Sequence, residues 1–160
     1  MRAGTIVRAQ RAVSSSDGRS SSSLGVRVVL EVAVAWENVT SFLNDSASRN
    51  ERITALANLA SEIARSKYAL GLHPWTSMHD LCLSQVASTT RHLSPHLRIS
   101  LTRLGALEFR YIDTAVESKQ WHREATPAEA FGRLESFFAQ LNWFGSSEAP
   151  RTPNPRLERP

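Results

Sequence analysis

The stretch HLRISLTRLGALEFRY, residues 96–111, decides the fold of this chain. Leu97, Ile99 and Leu101 alternate with Arg98, Ser100 and Thr102, and Leu107, Phe109 and Tyr111 alternate with Glu108 and Arg110. A period of two marks half-buried strands, so two strands with a turn between them are expected. A two-residue loop at Leu104-Gly105 would set Glu108 against Leu101 and place a carboxylate among apolar side chains. A three-residue loop, Arg103-Leu104-Gly105, pairs Leu101 with Leu107, Ile99 with Phe109 and Leu97 with Tyr111. It also puts Gly105 where such a hairpin needs a left-handed backbone, which glycine adopts without a Cβ penalty. A slip of one residue would turn every apolar side chain to water, so the second register is the expected one. On the polar face it sets Ser100 opposite Glu108 and Arg98 opposite Arg110. Opposed like charges are mildly unfavourable. Solvent, counter-ions and a diagonal Glu108 are the favoured means of neutralising them, because surface charges contribute little; an anionic ligand or partner is the alternative.

Toward the C-terminus, Lys119 to Glu124 supplies a further strand, with Trp121 facing the core and Gln120 and His122 facing out. Thr126-Pro127-Ala128-Glu129 then reads as a helix start. Thr126 caps, Pro127 has no N–H to lose at the first helical position, and Glu129 reaches back as the third residue of a capping box. The spacing predicts a helix over about 127–143 with Phe131, Leu134, Phe138 and Leu141 on one stripe, Phe137 beside it and Gly145 as terminator. Together with Trp143 and Phe144, these aromatics occupy more of the circumference than one sheet covers. The surplus is expected either to pack under a second helix or to meet a partner.

Toward the N-terminus, Ser48-Arg49-Asn50-Glu51 is a second capping box. Ile53, Leu56, Ala57, Ala60, Ile63, Ala64 and Tyr68 behind it form one apolar stripe. A helix over about 49–70 is expected, ended by a left-handed Gly71 before Pro74. Trp75 and Met78 are expected to pack as the chain turns into a strand at Asp80 to Val86, with Leu81 and Leu83 inward, followed by a Ser/Thr-rich loop from Ala87 to Pro95. Residues 26–44 fit two periods. Val26, Val28, Leu30, Val32, Val34 and Trp36 alternate, while Val29, Val32, Trp36, Val39 and Leu43 recur at three and four. Only the helical period continues past Trp36, so a helix over about 30–44 is expected, with a strand over 26–35 followed by a short helix as the alternative.

The order of elements gives an α+β domain: an antiparallel sheet of three to four strands over about 80–124, with helices packed on one face. The 160 residues divide into a Ser/Arg-rich tail (1–25), one domain (26–145) and a Pro-rich tail (146–160). Charge follows the same division. Residues 26–145 carry twelve basic and twelve acidic side chains, and the whole excess of +4 lies in the tails. A nucleic-acid module carries its positive charge as a patch on the fold, so nucleic acid is an unfavoured partner. No stretch reaches the ~18 apolar residues of a membrane span. A flexible N-terminal tail on a cytoplasmic protein is favoured over an organelle transit peptide or a secretion signal.

Motifs for chemistry are few. The single cysteine, Cys82, lies between Leu81 and Leu83 and reads as a buried thiol. Among the five histidines, His92 and His96 are spaced for a shared metal on a helix, but Pro95 disfavours that helix. His79, Asp80, Cys82 and His122 are the one set with nucleophile, base and orienter, and no local signature supports it. The chain lacks GxxxxGK[ST], GxGxxG and GxSxG. No cofactor is expected. The leading expectation is a non-enzymatic protein-binding or regulatory domain, self-association as a homodimer included, with Phe137, Trp143 and Phe144 as contact surface. The alternatives are a small-ligand protein or enzyme that lines the polar sheet face with Arg98, Glu108, Arg110 and His122, and electrostatic nucleic-acid binding through the arginine-rich tails.

Overall fold

The hairpin quoted above forms the centre of a five-stranded antiparallel sheet in the computed structural model, which describes residues 20–87 and 93–145. Strands β1 (His73–Ser77), β2 (Asp80–Ser84), β3 (His96–Leu101), β4 (Leu107–Ile112) and β5 (Trp121–Ala125) follow one another in space as in sequence. In β3 and β4, Leu97 meets Tyr111, Ile99 meets Phe109 and Leu101 meets Leu107, the register that keeps Glu108 out of the core. Gly105 takes φ 83°, and Thr102 closes the loop by donating its N–H to the Ala106 carbonyl at 2.9 Å.

The sheet has one more strand than the three or four expected. The additional strand, β1, contains Pro74, which reads against a strand because it has no N–H for a ladder. An edge strand leaves one side of its ladder unpaired, and β1 is an edge, with Pro74 opposite Leu83 and buried. Met78 does not pack. It sits in the two-residue turn Met78-His79, is 86% exposed and has φ 57°. A side chain with a Cβ costs about 1 kcal/mol in that region, so Met78→Gly should stabilise the fold by about 1 kcal/mol, read as a raised midpoint in denaturant with unchanged slope.

Helix α1 (Ser20–Arg49) is far longer than the expected 30–44, and the strand alternative for 26–35 is overturned. Its buried stripe, Val32, Trp36, Val39, Leu43 and Ser46, follows the helical period. Of the expected tail 1–25, residues 20–25 belong to this helix and residues 1–19 lie outside the described residues, as do residues 88–92 of the loop and the tail 146–160. Because α1 continues to Arg49, Ser48 is inside it and not a cap. Asn50 caps the next element by accepting from the Arg52 N–H at 3.2 Å. A single 3-10 turn, Glu51–Ile53, leads into α2 (Thr54–Ala64), which stops well before Leu70. Gly71 accordingly takes no left-handed cap. A Cβ there would lie 2.6 Å from Cε1 of Phe144, so that ring packs directly over the glycine and would have to shift for a larger residue.

Helix α3 (Ala130–Gln140) begins three residues after Pro127, because residues 127–129 form a turn. Thr126 and Glu129 still engage: the Glu129 carboxylate accepts from the Thr126 hydroxyl at 2.8 Å and from its N–H at 3.3 Å, which lowers the Glu129 pKa. The residue that terminates the helix is Asn142, not Gly145. Asn142 takes φ 52° and donates its N–H to Ala139, while Trp143 donates to the Phe138 carbonyl at 2.9 Å. This is a Schellman cap, and its customary apolar contact is present as the Phe138 and Trp143 rings, stacked at 5.5 Å.

Helices α2 and α3 lie against the sheet face that carries Leu81, Leu83, Leu97, Ile99, Leu107 and Phe109, and α1 packs beside α2 and over β1. Phe137 of α3 meets Trp121 at 5.0 Å and Tyr111 at 5.5 Å, fixing α3 over β4 and β5. Among the described residues no helix is long and apolar enough to cross a membrane.

Candidate functional site

The register of the five strands aligns Trp75, Cys82, Arg98, Arg110 and His122 in one row across the sheet face away from the helices. Glu108 lies in the next row, between Ser100 and Glu124. The residues expected to line a polar site thus share a face. Arg98, Glu108 and Arg110 open onto one groove of about 420 Å³, with Glu117 and Gln120 at its wall. Exposed His122 opens onto a smaller neighbouring groove of about 210 Å³, shared with Arg110 and Glu117.

The opposed arginines are neutralised from within the chain. Arg98 donates through Nε to Oδ2 of Asp80 at 2.7 Å. Arg110 donates to Glu108 at 2.8 Å and also to Glu117, and these hydrogen bonds raise its pKa. Glu108 therefore partners Arg110 along its own strand, and Asp80 takes the place beside Arg98. Each guanidinium charge is already matched by at least one carboxylate, which weakens the attraction of this face for an added anion.

The thiol set does not assemble. Cys82 is buried, and that burial pushes its pKa up to about 12, so it is protonated and unreactive near neutral pH. His122 belongs to β5 and Cys82 to β2, three strand spacings or about 14 Å apart. His79 stacks on Phe42 at 6.1 Å. His92 is outside the described residues, whereas His96 is buried on β3, with Nδ1 2.7 Å from the Ser94 carbonyl and its ring 5.2 Å from Trp75. Among the described residues no group of three His, Cys, Asp or Glu side chains is placed to hold a metal.

The aromatic surface expected at Phe137, Trp143 and Phe144 is largely internal. Phe137 is 1% exposed and Trp143 is buried against it at 5.1 Å. The side chain of Gln85 holds the Trp143 carbonyl. Tyr68, just past α2, closes the other side through Phe138 at 5.0 Å and Phe144 at 4.9 Å. Phe144 alone keeps substantial exposure, at the mouth of a cleft of about 450 Å³ between α3 and the end of α2. The polar groups there partner each other or their neighbours: Tyr68 donates to Glu135 at 3.0 Å, and the Lys67 ammonium lies over the Tyr68 ring.

Unsatisfied apolar surface lies elsewhere, on the N-terminal half of α1. Between Val26 and Trp36 the only charged residues are Arg27 and Glu31, bonded to each other at 2.9 Å. All other positions there are apolar, yet Val26, Val28, Val29, Leu30 and Val34 are 47–71% exposed. The two competing periods in this segment were its sign. A run that fits both strand and helix is apolar all round, and such a helix is normally covered. Compared with known protein families, curated proteins and solved structures, the chain matches none.

Proposed function

We propose that this chain is a non-enzymatic protein-binding domain whose contact surface is the N-terminal half of α1. The observation that carries this reading is the exposure of Val26, Leu30 and Val34 on a helix segment with one charged pair and no polar face of its own. Each large aliphatic side chain fully withdrawn from water contributes about 1.5–3 kcal/mol, so a partner covering this segment has a substantial apolar driving force. The body of the protein holds the segment in place. Trp36, two residues past Val34, is buried and donates through Nε1 to the Ala69 carbonyl at 3.0 Å. A presented helix of this kind is recognised by its i, i+4 anchors.

A photo-reactive benzoyl-phenylalanine in place of Leu30, in the full chain, tests the reading in cells that produce the protein. Illumination should give a defined cross-linked product. The same group in place of Asn58, exposed on α2, should give none. A Val26→Glu change beside the probe should remove the product. Equal cross-linking from positions 30 and 58, or none from either, would overturn the assignment.

A further inference from the structure

We infer that the cleft between α3 and the end of α2 is the docking site of this chain's own proline-rich segment, Pro150-Arg151-Thr152-Pro153-Asn154-Pro155-Arg156. Three rings form its apolar floor. Tyr68, Phe138 and Phe144 meet pairwise at 4.9–5.0 Å, and Phe144 stays 38% exposed at the mouth. Close-set aromatic rings in an open groove are the surface that polyproline II segments bind, because proline presents an apolar ring and its fixed φ leaves little freedom to lose on docking. The segment has the matching pattern. Pro150, Pro153 and Arg156 recur at three, the repeat of a polyproline II helix, and so share one ridge.

Connection and charge select this segment over a proline-rich stretch of another protein. The described residues end at Gly145, which is itself part of the cleft wall and has φ 64°, a conformation that lets the backbone turn back. The five residues from Gly145 to Pro150 reach at most about 17 Å, so the segment is held beside the cleft at an effective concentration in the millimolar range. Pro150 and Pro153 stand about 9 Å apart at 3.1 Å per residue, close to the roughly 10 Å of chain from Asn142 back to Glu135 along α3. Arg156, one turn further, brings a guanidinium to the Glu135 end. The Glu135 carboxylate accepts the Tyr68 hydroxyl at 3.0 Å and, among the described residues, makes no ion pair. Lys67, the base that lines the cleft, lies over the Tyr68 ring.

A fluorescent peptide of residues 148–156 tests this by competition. In the full chain carrying Pro150→Ser and Pro153→Ser the cleft should be vacated and the peptide should bind it. The parent, whose own segment competes, should bind the peptide at least about tenfold more weakly. Ala139→Arg, on the exposed wall of the cleft, added to the double variant should abolish binding, and so should Phe144→Ala. Glu135→Gln should weaken binding of this peptide and leave binding of a peptide with Arg156→Gln unchanged; the same weakening with both peptides would overturn the pairing of Arg156 with Glu135. Equal binding to parent and double variant would mean that the cleft accepts a proline-rich segment of another protein and not its own, which overturns the inference. No binding to either would overturn it too, as would binding that survives both Ala139→Arg and Phe144→Ala and so lies elsewhere on the protein.

Discussion

Phe137→Ala should cost about 3–5 kcal/mol of folding stability, the range for truncating a fully buried aromatic ring. Phe137 is 1% exposed and its ring touches Tyr111, Trp121, Phe138 and Trp143 at 5.0–5.9 Å, joining α3 to strands β4 and β5. Truncation leaves a cavity lined by rigid rings that collapse poorly into it, so the upper part of the range applies. The loss is a large share of the ~5–15 kcal/mol that holds a typical domain together. Chemical denaturation of parent and variant measures it directly. Phe144→Ala is the internal comparison: its ring is 38% exposed and should cost about 1 kcal/mol. Were Phe137 a contact for another protein, Phe137→Ala would leave stability within about 0.5 kcal/mol and alter only association.

The difference between those outcomes is also the difference between what the sequence of α3 could and could not tell. Its crowded aromatic circumference was legible. Whether the surplus met a partner or the chain's own Tyr68 depended on where α2 stopped, and α2 stops at Ala64, which leaves Tyr68 free to turn back onto Phe138 and Phe144. The β3–β4 hairpin was legible to the residue because two local rules, alternation and a left-handed Gly105, pointed to one register. Strand β1 was not, since Pro74 and the Met78-His79 turn both violate local preference, and only the edge position and the burial of Pro74 against the core outweigh them.

The polar face shows the same limit from another side. That Arg98 and Arg110 would oppose each other followed from the register alone. Of their neutralisers only Glu108 was legible, and it bonds Arg110 and not Arg98. Asp80 reaches Arg98 only because β2 pairs with β3, and Glu117 reaches Arg110 from the short 3-10 turn before β5. Two arginines for which an anionic partner was the alternative reading are thus engaged within the chain, Arg98 wholly and Arg110 partly by contacts between elements. The exposed face of α1 was hidden for a different reason: valine-rich alternation resembles a strand, and the helical reading wins only because Trp36, Val39 and Leu43 continue its period into the core.

Trp36 therefore carries the second large effect. Its indole is 4% exposed and donates through Nε1 to the Ala69 carbonyl at 3.0 Å, tying α1 to the segment that follows α2. Trp36→Ala should cost about 3–5 kcal/mol through the cavity alone, and it also leaves the Ala69 carbonyl without that donor. Trp36→Phe separates the two contributions, since it keeps most of the ring volume and removes the N–H; it should cost about 1–3 kcal/mol. Hydrogen exchange gives the spatial readout. In Trp36→Phe the amides of α1 from Val32 to Leu43 should lose more protection than those of β3 and β4, because the lost bond is between α1 and its neighbour and the sheet ladders are untouched. The same variant should weaken association through the Val26, Leu30 and Val34 row without altering a residue in it, since a helix that moves against its support presents that row less well. Uniform loss of protection across helix and sheet would mean that α1 has no separate opening. Unchanged protection with unchanged stability would mean that the Trp36–Ala69 bond does not anchor the helix at all.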